Sequence, residues 1–400
     1  MAKTIIPIGP YHPLQEEPEF FQLVVDGETV VDAFVNIGYN HRGIEKLSES
    51  KTFDQSTFVI ERICGICSTS HPIAYVRAVE DVFNKGDIEI PERALYIRTI
   101  VAELERVHSH LLWVGLAGHF LGYNTVYMWA WKEREEVLDV LEELTGNRNN
   151  YAIMKPGGVR RDFNDSTFAG VIDRLNKLTK WMETIKKAVM DDPVLHARLK
   201  GVGILTKKDC IDYCALGPTS RASGIPKDVR KDEPYAAYDR INWSVITQEE
   251  GDVFAKAVVR ILETFESINI IIQCLNKMPK GPIDANLKDI PPGEGIGHIE
   301  APRGETFHYV RSDGTNRPIR HKVRAPTFMN LPTYKEALIG ETISDATIIL
   351  AAIDPCYCCT ERVTIIDANN TRKKTVYSQA DLIRLSQQRT QEIKNKMGIR

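Results

Sequence analysis

Two short motifs at opposite ends of the chain constrain its fold more than any other feature of the sequence. Each is a Cys-x-x-Cys pair, formed first by Cys64 and Cys67 and later by Cys356 and Cys359. Two intervening residues allow both sulfurs of a pair to face one point, because residues three apart lie side by side in a helical turn. Four converging thiolates would form a site for a soft metal. The sequence therefore predicts a fold that is closed around such a site.

The residues alone leave three explanations of the cysteine pairs open. Structural zinc is one, although zinc ribbons place their pairs roughly 15–20 residues apart. A redox or catalytic metal is the second, and unrelated buried thiols are the third. Arg62, His71 and Asp354 flank the pairs, and a reactive thiolate site needs neighbours of this kind to orient it. Each also has a structural explanation, namely a surface ion pair, a core histidine and a helix cap.

Composition excludes several classes of function. The formal net charge is −3, from 51 basic and 54 acidic residues, so we expect no nucleic-acid partner. No window of about twenty apolar residues occurs, so we expect no transmembrane segment in this chain. The first residues do not resemble a signal peptide. We therefore expect the eight cysteines to be reduced thiols and metal ligands rather than disulfides.

The hydrophobic pattern predicts a mainly helical α+β fold. Long helices are predicted from residue 91 onward and at residues 126–144, 166–190, 248–278 and 378–396. Hairpins are predicted at residues 20–38, 306–323 and 362–377. Residues 279–304 are rich in proline and glycine. Residues 215–243 are predicted to be a long connection that could serve as a docking surface.

We expect three regions that together form one compact catalytic unit. Residues 1–50 are predicted to be an N-terminal β-hairpin region, and residues 51–280 a helical core that holds the first cysteine pair. Residues 281–400 are predicted to be an α+β region with an Ala-Pro-Arg-Gly element and the second pair. The expected architecture is a central bundle of long helices with small β-hairpins at the N- and C-terminal ends.

Several motifs resemble those of nickel–iron hydrogenase large subunits. Residues 62–71 resemble the family signature Arg-x-Cys-Gly-x-Cys-x-x-x-His. Residues 354–359 match its Asp-Pro-Cys-x-x-Cys motif, and residues 301–304 match its Ala-Pro-Arg-Gly element. Residues 9–13, 38–47 and 157–160 are similar to the branch shared with the 49 kDa quinone-site subunit of respiratory complex I. The combination resembles the large subunit of a group 4, energy-converting, membrane-bound nickel–iron hydrogenase.

The resemblance implies a nickel–iron centre with a Fe(CN)2(CO) group, held by all four paired cysteines. Cys67 and Cys359 would bridge nickel and iron, whereas Cys64 and Cys356 would bind nickel alone. Cys356 would also accept the proton when hydrogen is split. Glu45 would bind a second ion, magnesium or iron.

The resemblance also implies roles for residues around the centre. Glu17 would take the proton from a terminal cysteine, and His71 would hydrogen-bond a bridging thiolate. Pro302 and Arg303 would lie over the open face of the centre. Asp354 would pair with Arg303 or with a nearby group. Arg303 would offer fixed positive charge and hydrogen-bond donors in a dry pocket.

The other four cysteines are not expected to bind the metals. Cys358 is predicted to be a bystander, and Cys210, Cys214 and Cys274 are predicted to be core thiols. The sequence has no iron–sulfur motif of its own. The resemblance therefore implies a small hydrogenase subunit with a [4Fe–4S] cluster, a ferredoxin-like cluster subunit and complex I-like membrane subunits. It also implies ferredoxin and H2 as reactants, and a peripheral position on the cytoplasmic face of the cell membrane.

The expected function is reversible H2 oxidation and proton reduction, coupled to ferredoxin and to proton or sodium ion translocation. One alternative is a complex I-like subunit that binds quinone or another acceptor without hydrogen chemistry. The quinone-site subunits lack the cysteine pairs, which opposes that alternative. Another is a zinc-stapled assembly subunit without catalysis. The residues that follow Cys359 argue against the C-terminal cleavage and the C-terminal histidine ligand of oxygen-facing hydrogenases.

Overall fold

A computed structural model describes residues 3–13, 15–84, 86–287, 289–362 and 379–398. They fall into two compact units, residues 1–361 and 362–400, and the first contains every predicted site residue. Apart from residue 362, the hairpin predicted at residues 362–377 lies outside the described part. Among the described helices, none has both the length and the apolar character needed to cross a bilayer.

The architecture is mainly helical α+β, as predicted. The helices are α1 Ile44–Ser48, α2 Phe53–Glu61, α3 Ser70–Glu80, α4 Glu92–Phe120, α5 Asn124–Thr145, α6 Phe168–Met190, α7 Pro193–Leu199, α8 Lys207–Asp212, α9 Pro218–Arg221, α10 Val229–Asp232, α11 Val253–Lys277, α12 Pro326–Asn330, α13 Thr333–Leu338, α14 Ile343–Ala352, α15 Tyr357–Thr360 and α16 Gln379–Met397. The strands are β1 Thr4–Ile8, β2 Phe20–Asp26, β3 Thr29–Asn36, β4 Met154–Lys155, β5 Gly158–Val159, β6 Pro292–Ala301, β7 Gly304–Asp313 and β8 Pro318–Arg324.

Helix α4 lies at the centre of the bundle, with α5 and α11 packed against it and α6 against both of these. Most of its residues are buried, including Leu104, Leu111 and the charged Glu103 and Arg106. Each fully buried leucine contributes about 1.5–3 kcal/mol. Buried charges are costly unless they are paired, so a helix with this composition needs partners with charged side chains. The bundle supplies them, as shown for the site below.

The ends of the long helices are set by local signals. Helix α5 ends at Gly146, whose φ of 84° is the left-handed conformation that glycine adopts readily. Helix α11 begins after Asp252, whose side chain accepts the backbone N–H of Ala255 at 2.7 Å. The long helices predicted from the sequence are confirmed, with ends displaced by a few residues.

The small sheets are antiparallel, with strand orders β1-β2-β3, β4-β5 and β6-β7-β8. Strand β6 lies in the stretch at residues 279–304 that is rich in proline and glycine, where no strand was predicted. Its glycines allow helix α3 to lie directly on the strand. A Cβ atom added at Gly295 would lie 2.0 Å from the Ala78 carbonyl oxygen, and one added at Gly297 would lie 2.0 Å from the Ala74 carbonyl oxygen.

The long connection predicted at residues 215–243 is less exposed than expected, and its use as a docking surface stays a prediction. The segment forms the short helices α9 and α10, and its residues from 215 to 224 are buried, whereas residues 231–234 are exposed. Its Arg221 is fully buried and pairs with Glu263 on α11 at 2.7 Å and with Glu300 on β6 at 2.6 Å. The charge of Arg221 is therefore neutralised inside the protein.

Candidate metal centre

The four paired cysteines meet at one point. All four sulfurs lie within 4.8 Å of one another, and all four side chains are buried. Cys356 Sγ is 3.3 Å from Cys64 Sγ and 2.8 Å from Cys359 Sγ. The four thiols, including Cys67, are free. Ligand atoms from both ends of the first unit are thus available to one metal centre.

Each cysteine pair lies next to the start of a helix. Cys64 and Cys67 occupy the turn between α2 and α3, whereas Cys356 precedes α15. The Cys64 sulfur accepts backbone N–H groups from Ile66 at 3.2 Å and Cys67 at 3.3 Å. The pKa of Cys64 lies well below its usual range, first because of hydrogen bonds from the thiols of Cys356 and Cys359. The neighbouring thiols therefore favour the thiolate form of Cys64, the form that binds metals.

A buried arginine covers one side of the cysteine cluster. Arg303 Nη1 approaches Cys67 Sγ at 3.6 Å. Its Nη2 lies 2.7 Å from Asp354 Oδ1, and its Nε donates to the Asp354 carbonyl at 2.9 Å. Burial opposes the charge of Arg303, yet Asp354 and the cysteines raise its pKa well above the usual value. A fixed positive charge therefore faces the sulfurs.

The Ala-Pro-Arg-Gly element gives Arg303 its direction. Ala301 and Gly304 pair across the β6–β7 turn, so Pro302 and Arg303 form its tip. The neighbouring segment passes so close that a Cβ atom at Gly217 would lie 2.3 Å from the Arg303 carbonyl oxygen. The turn is therefore held against a second backbone segment, which leaves Arg303 little freedom.

Asp354 is held in an uncommon conformation. It follows the end of α14 with a φ of 57°, where glycine is the usual residue. Besides Arg303, its carboxylate faces Arg260 Nε on α11 at 3.9 Å. Asp354 therefore lies at the end of a helix, in agreement with its explanation as a helix cap. It also pairs with two buried arginines.

Two neighbouring glutamates of the N-terminal loop lie near the cysteines, Glu17 partly buried and Glu16 exposed. Glu17 Oε2 accepts the backbone N–H of Cys358 at 2.7 Å. Burial, followed by the charge of Cys64, raises the pKa of Glu17. Desolvation of its carboxyl group raises the pKa of Glu16 to about 7, although Arg303 opposes this shift. Sequence reasoning selected Glu17 and missed Glu16, whose signal was its place in the run Glu16-Glu17-Pro18.

Two residues beside the motifs make contacts of their own. Cys358 is not among the four sulfurs arranged to hold an ion, in agreement with its prediction as a bystander rather than a ligand. Its half-buried thiol hydrogen-bonds the Glu17 carboxylate, and burial, followed by the charge of Glu17, raises the pKa of Cys358. Arg62 points away from the cluster, donating to the Phe58 carbonyl at 2.7 Å and lying 3.5 Å from Glu61. Arg62 therefore forms a surface ion pair, in agreement with its structural explanation.

His71 begins a chain of three buried histidines. Its Nδ1 lies 3.0 Å from His308 Nε2, and His308 Nδ1 lies 2.9 Å from His321 Nε2. The chain ends at Ser48, whose Oγ is 2.6 Å from His321 Nδ1. Burial lowers the pKa of His71 and of His321 to about 4, so both are neutral at pH 7. Sequence reasoning missed His308 and His321, because only the pairing of β7 with β8 brings them to His71.

A buried carboxyl group fixes the start of α3, which carries His71. Glu105 Oε1 accepts the Ser70 N–H at 3.1 Å and also the Ser70 hydroxyl, and Glu105 Oε2 accepts the Thr69 N–H. Burial raises the pKa of Glu105 to about 8. Carboxyl oxygens at a helix N-terminus satisfy N–H groups that have no partner within the helix. No sequence pattern near residue 105 pointed to this contact.

Glu45 lies apart from the cysteines, at the contact of α1 with β8. Its carboxylate accepts the Lys322 ammonium at 2.7 Å and the Val323 N–H at 3.0 Å. Within the described ranges, the four cysteines form the one group of three or more His, Cys, Asp or Glu side chains arranged to hold an ion. Glu45 as a metal ligand stays a prediction.

The remaining cysteines are not part of this cluster. Cys210 and Cys274 are buried, as predicted for core thiols. Cys214 is exposed, so its prediction as a core thiol was wrong. It follows α8 with a φ of 53°, and this turn directs it outward from the helix face that buries Cys210.

Two family models match the chain. The model described as "Respiratory-chain NADH dehydrogenase, 49 Kd subunit" matches residues 121–290 and 285–362, which is more than half of the chain. The model described as "Nickel-dependent hydrogenase" matches residues 42–117, which include the first cysteine pair.

Similar proteins match nearly the whole chain. The alpha subunit of the membrane-bound hydrogenase of Pyrococcus furiosus is 43% identical over 97% of this chain and 93% of its own length. The carbon monoxide-induced hydrogenase of Rhodospirillum rubrum is 40% identical over 90% of this chain and 100% of its own. One subunit of the F420H2 dehydrogenase of Methanosarcina mazei is 39% identical over 88% of this chain and 96% of its own length.

A solved structure has the same fold. It is that of the membrane-bound sulfane sulfur reductase, an archaeal respiratory membrane complex. One of its chains superposes with a TM-score of 0.85 and 33% identity, covering 90% of this chain and 98% of that one.

Proposed function

The chain belongs to the family of group 4 membrane-bound nickel–iron hydrogenase large subunits, which is related to the complex I 49 kDa subunit, and from this membership we propose that it catalyses reversible H2 oxidation and proton reduction. It does so as the catalytic subunit of a membrane-bound complex. The observation that carries the proposal is the cluster of four buried, free thiols within 4.8 Å of one another.

The donor set fits a nickel–iron centre. Thiolates are the ligands that soft metals prefer, and hard cations such as magnesium prefer oxygen. Cys64, Cys67, Cys356 and Cys359 would hold the nickel and the iron. When bound, the centre, with its Fe(CN)2(CO) group, would supply the hydride-accepting chemistry that no side chain offers.

The residues around the cluster would move the proton and hold the charge. Glu17 lies against the backbone of the second cysteine motif, and its pKa is raised, as suits a carboxyl group that takes up and releases a proton. It would receive the proton from Cys356. Arg303 would stabilise negative charge at the centre, with Asp354 fixing its guanidinium and Pro302 covering the same face. His71 would hydrogen-bond a thiolate of the cluster through the ring nitrogen that His308 does not occupy.

The finer features of the proposal rest on family likeness. Electrons would pass through a small subunit with a [4Fe–4S] cluster and a ferredoxin-like subunit to or from ferredoxin. Complex I-like membrane subunits would couple the reaction to proton or sodium ion translocation at the cytoplasmic face of the membrane. A second magnesium or iron ion would bind near Glu45.

A second candidate is an acceptor-binding subunit without hydrogen chemistry. Two of the similar proteins favour it, because they are named as part of an F420H2 dehydrogenase and of a sulfane sulfur reductase. The buried thiol cluster opposes it, since an acceptor pocket does not require four converging sulfurs.

One experiment decides between the candidates. The complex is purified anaerobically, its nickel, iron and zinc are quantified, and isotope exchange between H2 and deuterated water is measured. We expect comparable amounts of nickel and iron, and exchange without any added acceptor. Zinc alone, or nickel-free protein that reduces an acceptor without exchange, would reject the hydrogenase proposal.

A further inference from the structure

The loop between β3 and α1 contacts both cysteine motifs and the segment that carries Glu17. We call residues 38–43 the clasp loop. Asn40 Nδ2 donates to the Pro18 carbonyl at 2.8 Å, which ties the loop to the segment that carries Glu17. Gly38 and Gly43 bound the loop with φ values of 127° and 65°, which a side chain would disfavour.

Arg42 in the clasp loop joins the two cysteine motifs. Its Nη1 donates to the Arg62 carbonyl at 2.8 Å and its Nη2 to the Ile63 carbonyl at 2.5 Å. These carbonyls immediately precede Cys64. The same Nη2 also donates to the Cys358 carbonyl at 3.3 Å, on the segment between the cysteines of the second pair. One guanidinium therefore holds backbone from both ends of the first unit.

The peptide groups of Cys358 are held on both sides. Glu17 accepts its N–H at 2.7 Å, and Arg42 binds its carbonyl oxygen. Arg303 joins the same two motifs from the interior, through Asp354 and Cys67. The cluster is thus fixed by a buried arginine on the inner side and by an exposed arginine, Arg42, on the outer side.

We propose that Arg42 is a positioning residue that sets the distance between the two cysteine pairs. The inference rests on the proposed metal centre. Thiolates only a few ångströms apart repel one another until a metal binds, so the cluster needs a restraint of its own beforehand. A guanidinium can hold three carbonyls in fixed directions because its donors form a rigid fork, whereas an ammonium group cannot.

Cobalt(II) titration of the metal-free full-length chain tests the spacing, because cobalt absorbs visible light when several thiolates bind it. The variants are Arg42→Gln and Arg42→Lys, with Arg320→Gln as the matched control. Arg320 is an exposed arginine on β8 that pairs with Glu49 at 3.4 Å. Circular dichroism and the melting temperature show whether each variant folds.

We expect Arg42→Gln to weaken cobalt binding roughly tenfold and to reduce the thiolate absorption, because charge-assisted hydrogen bonds are lost. We expect Arg42→Lys to restore part of the cobalt affinity and part of the thiolate absorption. Arg320→Gln should change neither quantity. Wild-type affinity and absorption in folded Arg42→Gln would overturn the inference, as would equal loss in Arg320→Gln.

The test is independent of the proposed reaction. Nickel content and H2 exchange of the purified complex are measured alongside the cobalt titration. A wild-type complex without nickel or exchange would reject the proposed function, whereas the cobalt result would still decide whether Arg42 sets the spacing of the cysteines.

Discussion

Arg303 and Asp354, 51 residues apart in the chain, form a buried ion pair of 2.7 Å next to the cysteine cluster. The pair joins the β6–β7 turn to the segment that leads into the second cysteine motif. Both side chains are almost completely excluded from water. An ion pair in such a position is strongly destabilised when one partner is removed, because the other charge is left buried and unpaired.

Asp354→Asn tests this pairing. The substitution leaves Arg303 with no carboxylate, so we expect the free energy of unfolding to fall by about 3–5 kcal/mol. Chemical denaturation of the purified protein measures the change. The control is Glu294→Gln, which breaks an exposed pair with Arg311 and should cost less than about 1 kcal/mol. Equal effects in both variants would contradict the proposed energetic role of the buried pair.

Glu17→Gln tests the proton relay. The amide keeps the size of the side chain and can still accept the Cys358 N–H, but it cannot carry a proton. We expect nickel and iron content to be retained while H2 exchange falls by roughly 10²–10⁴-fold, the usual contribution of a proton-transfer group. Glu28→Gln, on the exposed β2–β3 turn, is the control. Unchanged exchange in Glu17→Gln would remove this residue from the mechanism.

Replacing a cysteine of the cluster tests the metal site. Cys356→Ser exchanges a soft thiolate for a hard hydroxyl, which binds nickel poorly. We expect the purified protein to lose most of its nickel and all measurable H2 exchange. Cys214→Ser alters an exposed cysteine outside the cluster and should leave both values unchanged. Normal nickel content in Cys356→Ser would exclude this sulfur as a ligand.

His321 gives the fold a dependence on acid pH. Burial holds the pKa of His321 at about 4, opposed by Glu45 and Glu49 and aided by His71 and Lys322. Below about pH 6.5 the unfolded chain binds a proton that the folded chain does not, so stability falls as pH decreases towards 4. From the pKa difference, this residue accounts for about 3 kcal/mol of that fall.

His321→Gln should therefore show a shallower loss of stability between pH 7 and pH 4 than the wild type, in denaturant titrations at each pH. His119→Gln, at an exposed histidine of α4, should follow the wild-type slope. An unchanged slope in His321→Gln would mean that the fold does not lower the pKa of His321 below its value in the unfolded chain.

The close contact between β6 and α3 predicts opposite effects of alanine at two glycines. At Gly295 a Cβ atom would lie 2.0 Å from the Ala78 carbonyl oxygen, whereas at Gly170 in α6 nothing lies within 4 Å. We expect Gly295→Ala to destabilise by more than about 2 kcal/mol through overpacking. Gly170→Ala should stabilise by up to about 1 kcal/mol, because alanine favours a helix. Thermal unfolding compares them, and a neutral Gly295→Ala would show that the strand can move away from α3.

Local chemistry made several parts of the structure predictable. The Asp26-Gly27 turn predicted the β2–β3 hairpin, and Gly146 marked the end of α5. The spacing of Cys64 with Cys67 was enough to predict that their sulfurs face one point. These signals depend on residues a few positions apart, and the sequence contains all of them.

Other parts escaped sequence reasoning because their causes lie far apart in the chain. No strand was predicted for β6, because its glycines serve the packing of α3. The segment of Arg221 was predicted to be an exposed loop, although the partners of Arg221 on α11 and β6 lie inside. His308 and His321 reach His71 only through the pairing of β7 with β8.

The sequence by itself determined which atoms are offered to a metal, because a Cys-x-x-Cys turn brings its own two sulfurs together. Only the tertiary structure decided that both pairs share one site, and that Arg303 and Arg42 hold it from opposite sides. The reason is physical. A local turn is stabilised by its own backbone, whereas groups nearly three hundred residues apart stay together only when the packed core between them holds both in place.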